Sequence, residues 1–87
     1  MSIIEDGANI RLEGLCRVED AEPLTVLLQS GRFETVDISS CDGLHSAVTQ
    51  ALLVFGPTII GEAADPFVRD WIAPALRAQR QPDQGEV

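Results

Sequence analysis

The clearest pattern in the chain is an apolar stripe with the period of an α-helix. Leu44, Val48, Ala51, Leu52 and Phe55 fall at i, i+4, i+7, i+8 and i+11, the spacing that lines one helical face. His45, Ser46, Thr49 and Gln50 lie towards the other face. Gly56-Pro57 ends the segment, because Gly accepts a left-handed cap and Pro cannot continue the hydrogen-bond ladder. A second stripe, Leu24, Leu27 and Leu28, follows the acidic run Glu19-Asp20-Ala21-Glu22-Pro23. Carboxylates there complement a helix N-terminus, and Pro is tolerated in the first turn. Gly31 supplies the stop. A third helix is predicted from Asp65-Pro66, an N-cap followed by Pro at the first helical position. Phe67, Val68, Trp71, Ile72, Ala75 and Leu76 give it a broad stripe, read as core, and Pro74 is expected to kink or shorten it.

The strands fall between these helices. Residues 2–5 and 10–13 are predicted to form a hairpin across Asp6-Gly7, with a turn longer than two residues. Residues 35–39 alternate and are β-branched, which predicts a strand, with Ser40-Cys41-Asp42-Gly43 as the loop after it. Residues 58–61 are a short apolar strand candidate. The order β-β-α-β-α-β-α predicts an α/β fold. It has a small mixed sheet of about four strands, parallel after the hairpin, with the helices on one face. Residues 1–80 form the expected domain and the polar residues 81–87 a flexible C-terminal tail.

Charge narrows the function. Fourteen Asp and Glu stand against six Arg, with no Lys, for a net charge of −8. Phosphate backbones demand clustered cations, so nucleic acid is not an expected partner. No apolar run approaches the ~20 residues that cross a bilayer. Met1-Ser2-Ile3-Ile4-Glu5-Asp6 lacks the basic and apolar regions of a signal peptide. The expectation is a cytoplasmic protein without direct membrane insertion.

The side chains offer little for catalysis. Two Cys and one His cannot make the usual four-ligand zinc site. No nucleotide-binding glycine loop occurs, so no cofactor is expected. The simplest reading of Cys16 and Cys41 is two buried, reduced core residues, with a redox role as the lesser reading. Asp42, His45 and Ser46 are close in sequence, but adjacent helical positions do not face one another. The expectation is therefore no catalytic residue and no metal. Asp37 is read as structural, hydrogen-bonding to nearby backbone at a strand end.

These segments also have a familiar order. Ile10-Arg11-Leu12-Glu13-Gly14, the helix from Ala21 to Gly31, Val36-Asp37-Ile38-Ser39 and the leucine-rich Ala51-Leu52-Leu53 resemble the STAS domain of sulfate transporters and anti-sigma-factor antagonists. The resemblance runs from about Ile10 to Leu76. His45-Ser46-Ala47-Val48 falls on the family's Asp-Ser-(Ser or Ala)-Gly motif, with His45 in place of the Asp and Val48 in place of the Gly. It implies a non-catalytic interaction module whose partner is a kinase or anti-sigma-like protein. Ser46 lies on the serine that a partner kinase phosphorylates. The alternative within the family is a subunit bracing the ATPase of an ABC-type lipid transporter, and a homodimer stays open. Outside the family the alternative is a small-molecule-binding or enzymatic domain, which a deep pocket would favour.

Helical spacing proposes the surface. Ser46, Thr49, Gln50 and Leu53 share the face opposite the apolar stripe, next to His45, and Leu53 is expected as its exposed anchor. A phosphate on Ser46 would add about −1.5 to −2 charge there. The competing reading is that Ser46 only caps the helix.

Overall fold

The computed structural model describes residues 3–80, and of Gln79 and Arg80 the backbone only. Its elements are β1 (Ile3–Asp6), β2 (Asn9–Cys16), α1 (Ala21–Gln29), β3 (Thr35–Leu44), α2 (Ser46–Phe55), β4 (Thr58–Ile60) and α3 (Ala73–Arg80). The sheet order is β1-β2-β3-β4. β1 runs antiparallel to β2, and β2–β3 and β3–β4 are parallel. This is the expected α/β fold with a mixed sheet. Ser2, the first residue of the predicted hairpin, and the tail expected over residues 81–87 lie outside the described residues.

Alternation along the strands sets the layers. Ile3, Ile10, Leu12, Val36, Ile38 and Ile59 are buried, and they join Leu24, Leu28, Val48, Leu52 and Leu76 of the helical layer in one core cluster. The intervening Arg11 and Asp37 are only half-buried. The helices therefore cover one face of the sheet and leave the other open. On that open face Arg11 pairs with Glu13 at 3.0 Å and Asp6 at 3.4 Å. Asn9 and Thr35, opposite each other across β2 and β3, join their side chains by a hydrogen bond.

Three details differ from the sequence reading. The hairpin turn is tight: Asp6 pairs with Asn9, leaving only Gly7-Ala8 between the strands. Gly7 takes φ 62 there, the left-handed value that a two-residue turn needs and Gly supplies without strain.

The second difference is β3, which does not stop at Ser39 but runs through the supposed loop to Leu44. It does so by bulging twice against β2, between the pairs Arg11–Asp37 and Glu13–Ser40, and between Gly14–Cys41 and Leu15–Gly43. Each bulge leaves a residue of β3 unpaired. Alternation is thereby broken: Ile38 is buried, Ser39 and Ser40 are exposed, Cys41 is buried again and Asp42 is exposed. A strand with two surplus residues reads as a loop when only strict alternation is sought.

The third is the last helix. Helical geometry extends over residues 66–80, and the carboxylate of Asp65 accepts the Val68 N–H at 3.0 Å, as its N-cap position predicts. Val68–Ile72 is π-helical, and the Ala73 N–H reaches back five residues to the Val68 carbonyl. Pro74 has no N–H to offer, and its ring would crowd the carbonyl of Asp70 in a regular helix. A widened turn just before it removes that conflict. The extra residue also turns the helix, so Val68, Ala73 and Leu76 are buried while Phe67 and Trp71 are 61% and 70% exposed. The expectation that Phe67 and Trp71 belong to the core is corrected accordingly.

Candidate functional site

β2 and β3 end side by side, with Cys16 paired to Leu44. Clefts in open α/β sheets form beyond the carboxyl ends of parallel strands, where successive chain segments depart in different directions. A groove of about 560 Å³ lies at this end of the molecule. Its apolar lining comes from Leu15, Val18, Leu44, Phe67 and Val68. Of these, Leu15, Val18 and Phe67 are large side chains more than half exposed. Its ionic lining is three carboxylates, Glu19, Asp42 and Asp65, against one guanidinium, Arg17.

His45 joins the groove to α2. Its backbone N–H donates to the Cys16 carbonyl at 2.9 Å, tying the helix entrance to the end of β2. Its Nδ1 accepts the Ala47 N–H at 3.0 Å. His45 is thus the N-cap of α2, and Ser46 is the first helical residue, exposed to solvent. The reading of Ser46 as the capping residue is overturned by this geometry.

The other residues of the expected partner surface separate. Gln50 is exposed, and Val54, one turn further on, is 71% exposed. Thr49 and Leu53 are half-buried; Leu53 packs against the core, and the Thr49 hydroxyl is enclosed without a hydrogen-bond partner. The apolar stripe alone understates what α2 buries, because the helix contacts both α1 and α3. The outward face is therefore centred on Ser46, Gln50 and Val54, and Leu53 is not an exposed anchor. Asp37 lies on the open sheet face, where its Oδ1 accepts the Ser39 N–H at 2.9 Å across the first bulge.

Sequence reasoning gave Leu15, Val18 and Phe67 no role, since the first two follow no helical period and the third was assigned to the core. It also had no means of joining the cysteines. Cys16 and Cys41 are both buried, and the Cys41 Sγ donates to the Gly43 carbonyl at 3.4 Å. Interaction with Cys41, together with burial, pushes the Cys16 thiol well above the ordinary range. Interaction with Cys16 pulls the Cys41 thiol below its ordinary value, against the effect of burial. Cys16 shares the groove with His45, but its thiol is engaged by Cys41 and its ionisation is suppressed. That is the reverse of an activated nucleophile.

Among the described residues, no group of three or more His, Cys, Asp or Glu is placed to hold a metal ion. None of the helices among them is long and apolar enough to cross a membrane. Comparison with known proteins returned no matching family model, no matching curated protein and no matching solved structure.

Proposed function

We propose that the chain is a non-catalytic interaction module of the STAS kind that receives a protein partner at the start of α2. One observation carries this reading: the entrance of α2, with His45 and the exposed Ser46, adjoins a groove rimmed by the exposed side chains of Leu15, Val18 and Phe67. Large apolar groups clustered around an opening are the kind of surface that partners cover. The mixed four-stranded sheet with three helices accommodates the resemblance of the sequence to STAS domains. In this reading the partner is a kinase or anti-sigma-like protein, and phosphorylation of Ser46 releases it by placing charge at the rim. The capping by His45 supports the alignment, since His45 fills the role that an Asp has at that position of the motif. A transporter ATPase subunit would use the same end.

The test is affinity capture from the source cell with wild type, Phe67→Asp and Ser46→Glu, each checked by thermal melting. Partners held by wild type and lost by both folded variants support the proposal. Equal recovery by all three rejects it.

A second reading has its own observation. A volume of about 560 Å³ lies within the roughly 300–1,000 Å³ of small-molecule sites. Its walls suit a cationic ligand with an apolar body, by the excess of carboxylates over Arg17. Thermal-shift screening with such amines, compared with carboxylates of equal size, separates this reading from protein docking.

A further inference from the structure

Three exposed side chains rim the groove from different elements: Leu15 from β2, Val18 from the short turn before α1, and Phe67 from the start of the last helix. They are 51%, 53% and 61% exposed, so they stand up around the opening instead of closing over it. A small molecule on the floor would leave them in water, whereas a segment of chain lying across the opening would cover all three. Trp71, four residues beyond Phe67 and 70% exposed, carries the apolar surface further along the same helix.

Charge at the rim selects the segment. Glu19 and Asp42 are exposed and Asp65 is half-buried. Among the described residues none of these three carboxylates is in an ion pair. The basic side chains do not balance them. Arg69 is paired with Asp70 at 3.0 Å, and Arg11 with Asp6 and Glu13 on the open sheet face. Arg17 is the single guanidinium of the lining. An acidic segment entering here would meet a surplus of like charge, and an anionic membrane surface would be repelled in the same way. The net charge of −8 steers a basic segment towards the chain.

We propose that the groove takes a basic segment of a partner protein, with Arg or Lys on either side of one large apolar side chain. The apolar side chain enters between Leu15, Val18 and Phe67, and its cationic neighbours lie over Glu19, Asp42 and Asp65. This occupant rests on the reading of the groove as a docking site and adds the partner's chemistry to it. Ser46 does not line the groove. A phosphate there acts on the part of the partner that packs beside α2, not on the segment in the groove.

The experiment selects from a random peptide library displayed on phage, with the full chain immobilised. Peptides that also bind the Phe67→Asp variant are removed, which subtracts attraction to an acidic surface alone. Retained peptides should carry net positive charge and a large apolar residue between Arg or Lys residues. A synthetic copy of one should shift the backbone NMR signals of Leu15, Val18, Gly43 and Phe67, and should bind less tightly as salt rises. Glu19→Gln with Asp42→Asn should weaken it roughly three- to tenfold. Phe67→Ala should weaken it at least about tenfold. Thermal melts check that these surface variants fold. Retained peptides that are neutral or acidic would overturn the proposal while leaving docking at the groove intact. If no peptide distinguishes wild type from Phe67→Asp, or if octylamine binds the groove as tightly as the peptide, the occupant is not a basic protein segment and the proposal fails.

Discussion

Nδ1 of His45 accepts the backbone N–H of Ala47 at 3.0 Å, so an imidazole holds the first turn of α2 where a carboxylate or hydroxyl is the common choice. Losing this bond in His45→Ala should cost about 1 kcal/mol. For a domain of this size that lowers Tm by roughly 4–8 °C. His45→Asp should be at least as stable as wild type, since a carboxylate both caps and complements the helix dipole. Urea and thermal unfolding of the three proteins give the ranking. An Asp variant no more stable than the Ala variant would mean that the contact is not a cap.

Leu52 is 1% exposed, in the middle of the α2 stripe. Leu52→Asp puts an unpaired carboxylate among apolar side chains, which should exceed the margin of roughly 5–10 kcal/mol that small domains possess. Far-UV circular dichroism should show an unfolded chain. Leu52→Ala should fold and lose about 2–5 kcal/mol.

Two glycines should respond differently to Ala. At Gly61 the backbone has φ 86, and a Cβ would lie 2.5 Å from the Asp37 carboxylate oxygen. Left-handed strain and crowding together should cost Gly61→Ala at least about 1 kcal/mol. At Gly43 the new Cβ would meet only the tip of the Leu15 side chain, at 2.7 Å. Leu15 is half exposed and can rotate away. Gly43→Ala should stay within about 0.5 kcal/mol of wild type. Chemical denaturation of both variants measures the contrast.

Trp71 offers an optical check on the last helix. At 70% exposure its fluorescence should peak near that of tryptophan in water and be quenched freely by iodide. Trp71→Ala should change stability by no more than about 0.5 kcal/mol. A blue-shifted, protected emission would return Trp71 to the core.

Much of the fold was legible because local signals agreed with tertiary packing. The stripe Val48, Ala51 and Leu52 is buried as its spacing implies, and Gly56 closes α2 in the left-handed conformation with φ 60. Asp65 caps the last helix. What escaped were places where the chain carries an extra residue. Cys41 is read as core from its residue type alone; it sits beyond a bulge, so its parity along β3 is opposite to that of Val36 and Ile38, and alternation lends that reading no support. Phe67 and Trp71 were misassigned because a 3.6-residue period was continued through a π-helical turn. The groove was hidden for a related reason: Leu15 and Phe67 meet through the ends of elements distant in sequence, and no local pattern encodes that meeting.

The paired bulges of β3 behave like a frameshift and its suppressor. The first puts inward and outward positions out of phase, so Cys41 rather than Ser40 faces the core. The second restores the phase, and Leu44 arrives beside Cys16 on the core side, ready for the chain to turn at His45 into α2. Deleting one surplus residue, Ser39 at the first bulge or Asp42 at the second, would therefore remove that bulge and leave every later position paired and facing as before. Deleting both would leave eight residues facing eight in unbroken alternation, with the helix entered from its proper face. Each single deletion should leave the fold standing, and the double deletion should straighten β3 without turning any side chain over.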